Sequence, residues 1–455
     1  MFSRSAVPRQ ALRAAQHSWR PQSRSLAAPA SGTFQYATGE AQGIKFAARD
    51  STGPVTTVAI VSRAGTRYQP LPGLAEGLKW YAFKNTDRRS TLRIQRESEL
   101  LGSALESYTT RENLVVGAKF LRDDLPYFLE LLSDVATKTN YQAHVVHEEI
   151  AALVKMSQQR FFADTTAMAL DSAHGVAFHR GLGSSLHTTS DIPMKKYVDE
   201  DSLAEYAAAA YSKPNFAIVG NGVEQAELSK WINEFFTDVP AQAPFELKPQ
   251  QTKYYGGEER ISHAGGNSLV IGLPGSSSPT GGFYKPEIAV LAALLGGQTT
   301  IKWSPGFSLL SKATKDAPNM YIDTKSLIYT DAGLLTITLS GAASDIRKTA
   351  PKVVEALKSV AQGVSKEDFA KAKALAKFKE LEYGQATEAG MVWTGSGLVH
   401  GGKPYQIDEV AKSADSVTAE QVQKAAKEIL EHKASVSAVG DLFQLPFAEE
   451  LGLKV

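Results

Sequence analysis

The chain has 455 residues, 43% of them hydrophobic, and a formal net charge of +1. A chain of that length buries more than one core, so at least two domains are expected. The absence of cysteine excludes a disulfide framework and a thiol nucleophile, and no apolar run reaches the roughly 18 residues that a membrane-spanning helix needs.

The first 33 residues carry Arg4, Arg9, Arg13, Arg20 and Arg24 among several serines, with no acidic residue before Glu40. Arg-rich, Ser-rich and acid-free is the composition of a mitochondrial transit peptide, so residues 1–33 are expected to be removed on import. Losing those five arginines turns the net charge from +1 to −4. A basic arm for nucleic acid is the other reading, but the rest of the chain offers no basic patch to support it, and no nucleic-acid partner is expected.

From Phe34 onward the chain alternates strand and helix patterns. The run VTTVAIVSRAG from Val55 is rich in β-branched residues and reads as a buried strand. It leads into PGLAEGLKWYAFKNT, Pro72 to Thr86, where Leu74, Leu78 and Ala82 recur every four residues and form an inward apolar face, with Pro72 suited to the first turn. On the other face Glu76, Lys79 and Trp80 stand at i, i+3 and i+4, the spacing of the inverted zinc motif H-x-x-E-H. In that motif two imidazoles one turn apart hold Zn²⁺ and the carboxylate takes a proton from the metal-bound water. Here only Glu76 could ligate, Lys79 puts an ammonium in the place of the base, and Trp80 offers nothing but an N–H donor.

Gly73, Leu74, Ala75, Leu78, Ala82, Phe83, Lys84 and Thr86 fill the string G-L-A-x-x-L-x-x-x-A-F-K-x-T. That string resembles the active-site helix of the pitrilysin and mitochondrial processing peptidase family. The resemblance implies a third zinc ligand, a glutamate from a later helix, whose place here falls to Val154, or to Lys155 if the alignment slips by one. It therefore implies that Glu76, Lys79, Trp80 and Val154 are the positions of a degenerate zinc motif, with no catalytic residue, metal or cofactor. His144 and His147 beside Glu148 have helical spacing but no third ligand, and read as surface histidines. His174 and His179 are expected in a helix before a Gly181–Ser185 turn.

The segment from Thr109 to Lys138 begins as a strand and becomes an amphipathic helix entered at Asp123 and Asp124. Its T-R-E-N string (Thr110, Arg111, Glu112, Asn113) and L-R-D-D string (Leu121, Arg122, Asp123, Asp124) are similar to those of noncatalytic members of the same family, the core subunits of the mitochondrial ubiquinol–cytochrome c reductase complex. Further on, Ser202 and Glu205 suggest a capping box, and SKPNFAIVGNG a strand with its turn. Gly220-Asn221-Gly222 has a trace of a dinucleotide loop, but position 225 is Gln and a structural turn is expected.

Pro240, Pro244 and Pro249 mark a linker over 241–252. Beyond it the pattern repeats at an offset of 220: Asn113-Leu114 aligns with Gly333-Leu334 and Val219-Gly220 with Val439-Gly440, while Pro72 is echoed by Pro286. Two homologous domains, 34–240 and 253–455, are expected. In the second, Ser365 with Asp368 and Thr418 with Gln421 cap helices, the latter ending near Lys433. Lys371, Lys373, Lys377 and Lys379, interleaved with Glu380 and Glu382, read as a solvated helix side.

YYGGEER (Tyr254 to Arg260) resembles the opening of the family's C-terminal domains. The closing stretch with Gly440, Asp441, Leu442, Pro446, Phe447, Glu450 and Leu451 is similar to the end of the core subunits. The stretch Leu294 to Leu310 keeps only Gly296, Gly297 and Gly306, and so lacks the glycine run that resembles a presequence handle in the processing peptidase's noncatalytic subunit. The resemblance implies an α+β fold of two homologous domains, each a mostly antiparallel sheet with helices on one side. It implies a noncatalytic structural subunit of complex III, partnered by core protein 1 and other subunits and peripheral on the matrix side of the inner membrane. The rival readings are a presequence-binding subunit of the processing peptidase and an active zinc endopeptidase.

Overall fold

The structure, a computed structural model, describes residues 35–455 except 52, 250–251, 299–305, 307 and 318. The expected transit peptide lies outside the described residues, as does much of the Leu294–Leu310 loop.

The first sheet contains β1 (Ala37–Ala41), β2 (Ile44–Arg49), β3 (Val55–Ser62), β4 (Ala104–Thr109), β5 (Leu114–Leu121) and β6 (Phe216–Asn221) in the order β1-β2-β6-β3-β5-β4. The second contains β7 (Gly257–Ser262), β8 (Asn267–Pro274), β9 (Tyr321–Ile328), β10 (Gly333–Gly341) and β11 (Ser435–Gly440) in the order β7-β11-β8-β10-β9. Leaving out β1, the two orders are the same. The parallel pair is β2–β6 in one and β7–β11 in the other, and every other pairing is antiparallel. The duplication expected from the offset of 220 and the α+β fold that the resemblance implies are therefore what the chain adopts.

All six residues of β6 and of β11 are buried, as are the last seven of β3. Strands with near-continuous burial need cover on both faces. One face is covered locally: Ile60, Phe46 and Ile218 meet Leu74, Phe128 and Leu132 in the first core, and the second half is built likewise from Leu269, Ile271 and Ile337 against Leu291, Val353 and Leu357. The other face is covered by exchange. The helix Thr165–Phe178 of the first half lies on β8 and β11, with Met168, Ala169 and Ala173 against Val270 and Val439. In return the helix Thr387–Ser396 and the turn after it lie on β2, β3 and β6, with Met391, Leu398 and Val399 against Ala47, Val61 and Val219. Each half's own helices thus lie on one side of its sheet, as the resemblance implies, and the second side is covered by a helix of the other half. Small residues permit this close packing: a Cβ at Gly395 would fall 2.5 Å from the Val61 side chain.

Local signals explain most helix ends. Ser365 and Thr418 accept from the backbone N–H of Asp368 and Gln421 as expected, and Pro286 opens the helix Pro286–Leu295. Two boundaries differ. The helix expected from Pro72 starts at Leu74 behind Gly73 in the left-handed region at φ 93°, and ends at Tyr81. The capping box expected of Ser202 and Glu205 is made by Asp199 and Ser202, because the helix begins one turn earlier with Glu200 and Asp201 in its first turn.

The seam between the halves joins duplicated turns. The turn Thr110–Asn113 before β5 faces the turn Thr330–Gly333 before β10, and Arg67 sits between them. Its guanidinium is bidentate to Asp331 at 2.7 and 2.6 Å and reaches Glu112 at 2.7 Å. Glu112 also accepts from the Thr330 N–H at 3.0 Å and its hydroxyl at 2.5 Å. Burial pushes the Glu112 carboxyl up, against the pull of Arg67 and Thr330. Breaking such a pair leaves a buried charge alone, so Arg67→Met should lower stability by about 3–5 kcal/mol. Breaking the exposed Lys371–Glu367 pair should change nothing measurable. Urea denaturation of the two variants checks this contrast.

Candidate functional site

Glu76, Lys79, Trp80 and Val154, the positions expected of a degenerate zinc motif, lie where the helix Leu74–Tyr81 packs on the helix Ala151–Ala163. Glu76 is not on a solvated face: it is 2% exposed. Its Oε2 accepts from the Thr188 N–H at 2.8 Å. Its Oε1 has no hydrogen bond among the described residues and lies 3.7 Å from His187 Nδ1 and 3.9 Å from Lys79 Nζ. Burial alone would raise the Glu76 carboxyl, but His187, Thr188, Ser157 and Lys79 together hold it below the usual carboxylate range. It is an anion held by donors.

Lys79 turns its ammonium over the Trp80 ring, 4.2 Å from the centroid, a cation–π contact. Burial pulls this ammonium below the usual lysine value while Glu76 pushes it back. The Trp80 indole N–H is buried without an acceptor among the described residues. Val154, 1% exposed, presents an isopropyl group in the first core. One turn along that helix, Ser157 Oγ is 3.2 Å from His187 Nδ1.

Sequence reasoning missed His187. It reaches Glu76 from a loop more than a hundred residues away, and no motif spacing links them. His187 lines two cavities. One, of about 340 Å³, is walled by Thr66, Gln69, Glu76, Ser185 and Thr188; the other, of about 370 Å³, by Lys79, Trp80, Met156, Ser157 and Arg160. The chemistry on offer is one carboxylate, one imidazole, one hydroxyl and a neighbouring ammonium. Among the described residues no group of three or more His, Cys, Asp or Glu side chains is close enough to hold a metal ion.

The remaining sequence candidates take structural places. His144 and His147 are exposed. His174 is buried at the seam, and His179 ends its helix. Gly222 turns at φ 81°, its carbonyl accepting from Thr56 and Arg122. Of the lysine row, Lys373 is spent on the carbonyls of Asp415 and Val417, and Lys377 pairs with Asp415. The opening and closing strings of the second half meet: Arg260 donates to the carbonyls of Leu442, Leu445 and Pro446 and lies 3.8 Å over the Phe447 ring.

Residues 45–189 match the insulinase peptidase family M16, and residues 197–375 match the inactive domain of M16 peptidases. Cytochrome b-c1 complex subunit 2 of Neurospora crassa is 49% identical over 100% of both chains. The chain belongs to the family of cytochrome b-c1 complex subunit 2. The subunit of Yarrowia lipolytica is 34% identical, over 91% of this chain and 96% of its own, and that of Mus musculus is 27% identical over 90% of each. The first matched region contains all four positions of the motif.

A carboxyl whose pKa is lowered on folding stabilises the fold above its unfolded value, and that contribution is lost as pH falls through its folded value. Glu76→Gln should therefore lower the urea midpoint near neutral pH, and the gap from wild type should close as pH drops from about 4.5. Equal midpoints at neutral pH would show that the carboxylate contributes nothing.

Proposed function

We propose that this chain is a noncatalytic structural core subunit of the respiratory ubiquinol–cytochrome c reductase, complex III, needed for its assembly and stability. The observation that carries the reading is that the fold is whole, while the positions read as the base and two ligands hold Lys79, Trp80 and Val154, none of which suits zinc chemistry. A zinc ion held by Glu76 alone would face the Lys79 ammonium, so the chain is proposed to hold no metal there and to cleave no peptide. Two domains, 34–240 and 253–455, keep their cores and caps although the chemistry is gone, and a shape kept without chemistry serves as an interface. Obligate interfaces typically bury more than about 2,000 Å² around an apolar centre.

The partner in this reading is core protein 1, and the site of assembly is the matrix side of the inner membrane. No helix among the described residues is long and apolar enough to cross a membrane, which supports a peripheral position. A presequence-binding subunit of the processing peptidase is the second reading. It rests on a glycine-rich loop, and Leu294–Leu310 retains three glycines, none in a longer run than Gly296-Gly297.

Deleting the chain should deplete the assembled reductase and core protein 1 together, read on a native gel stained for haem. Replacing Glu76, Lys79 and Trp80 by alanine in a folded protein should leave ubiquinol oxidation nearly unchanged. Normal assembly of that variant with lost oxidation or lost precursor processing would overturn the structural reading.

The Arg-rich segment 1–33 is proposed to be cleaved on import, near Arg24-Ser25-Leu26. Sequencing the mature protein should find an N-terminus between Ser25 and Phe34. A mature chain that begins at Met1 or Phe2 would refute it.

A further inference from the structure

Each exchanged segment brings one histidine into the seam between the halves, His174 buried and His400 half-buried. His174, 2% exposed, lies on the Thr165–Phe178 helix. Its Nδ1 is 2.7 Å from the Leu170 carbonyl and its Nε2 is 2.7 Å from the hydroxyl of Tyr329, a residue of the second half. A carbonyl only accepts, so Nδ1 carries the proton and Nε2 receives the tyrosine O–H. His400 follows the Thr387–Ser396 helix and reaches the first half. Its Nε2 is 3.0 Å from Asn113 Oδ1 and its Nδ1 is 3.2 Å from the Tyr68 hydroxyl. The two rings stack with centroids 5.5 Å apart. With Nε2–H donating to Asn113, Nδ1 is free to accept from Tyr68. The arrangement is reciprocal: a neutral imidazole on one exchanged helix and in the turn after the other is held by a tyrosine of the half it covers.

The charged groups around these rings are cationic or already paired. Facing His174 is Arg111, from the turn before β5, whose partner Asp171 on the histidine's own helix sits at 2.6 Å. Facing His400 are Arg63 and Arg67, from the segment after β3. Lys45 of β2 donates to the Leu398 carbonyl two residues before His400. Glu112 and Asp331, which face Tyr68 from the two turns, are committed to Arg67. Tyr329 sees Arg111, Glu112 and Asp171, and burial pushes its hydroxyl up to about 12. Adding a proton to either imidazole therefore adds a cation beside arginines, in a buried setting at His174 and at the wall of a cavity of about 340 Å³ at His400.

We propose that His174 and His400 make the seam an acid-sensitive lock, whose protonation lifts the two exchanged helices off the opposing sheets. Both imidazoles are held well below the ordinary histidine value, by burial first and by the neighbouring arginines second. An exposed histidine titrates near about 6.5. The opened form thus binds protons that the closed form refuses, so the closed seam keeps its full stability above that value and loses it as pH falls. The loss approaches tenfold per pH unit for each histidine, or about a hundredfold for the two together.

Hydrogen exchange of the full chain, followed by mass spectrometry between about pH 7.5 and pH 5.5 and corrected for intrinsic rates, tests the lock. Protection of Thr165–Phe178 and of Thr387–Gly401 should fall steeply below about pH 6.5. The helix Ala343–Gln362, packed within its own half, should keep its protection. In the double variant His174→Gln, His400→Gln the pH dependence of the two exchanged segments should flatten. Protection that does not change with pH, or a double variant that keeps the wild-type slope, would overturn the proposal. If the double variant does not fold, Tyr68→Phe and Tyr329→Phe decide. Each removes the donor that favours the neutral ring and should move the loosening to higher pH, whereas an unmoved midpoint would overturn the proposal.

Discussion

Neither sheet can exclude water from both faces with its own helices, and the rest of the structure follows from that constraint. Strands such as β6 and β11 are apolar on both sides, and each half supplies cover for one. The second cover is a single helix sent across from the other half, so neither core is complete alone. Exchange in both directions packs the two covalently linked halves against each other through a helix from each. Most interfaces between domains of a chain are small and polar enough to permit sliding. Here helix and sheet interdigitate, with Gly395 against Val61 and alanines along the facing strands.

Polar groups fix the register that apolar packing leaves loose. Arg67 spans the turn of one half and the turn of the other, satisfying Glu112 and Asp331 together, and Glu112 in turn satisfies the Thr330 backbone. A seam of this kind adds little net stability over an apolar one, but a partial version of it is costly, because any misplaced turn strands a buried charge. Its value is therefore in specifying one docking of the halves. The T-R-E-N string, which resembled a family signature, has this physical content: Arg111 holds Asp171, Glu112 holds Arg67 and Thr330, and Asn113 holds His400.

What the sequence disclosed and what it withheld divide along the same line. Strands β3, β5 and β6 and the caps at Ser365 and Thr418 were legible because they depend on neighbours a few residues away. The duplication was legible because the same local patterns recur at a fixed offset. The exchange was not, since an apolar helix face does not say which sheet it will meet. Arg67 and Asp331 are 264 residues apart, and no periodicity joins them. The same holds for His187 beside Glu76. Spacing placed Glu76, Lys79 and Trp80 on one helix, but it could not show that Glu76 is buried, because the loop that covers it lies far along the chain.

The burial of Glu76 explains how a peptidase fold can lose its chemistry and keep its shape. A catalytic metal site needs ligands that are deprotonated, an open coordination position and a base free to move a proton. In this chain the ammonium of Lys79 stands 3.9 Å from the Glu76 carboxylate and rests on the Trp80 ring, so charge that a metal would have balanced is balanced from within the helix. Thr188 N–H and the His187 ring tie the same carboxylate to the loop over it. Val154, on the helix packed against this one, presents an apolar group and packs with the first core. Of these side chains, Glu76, Trp80 and Val154 each make a contact that holds two elements together. Restoring the chemistry would then demand more than restoring three side chains, since the residues now in those places are part of what keeps the helix Leu74–Tyr81 and the loop at His187 docked.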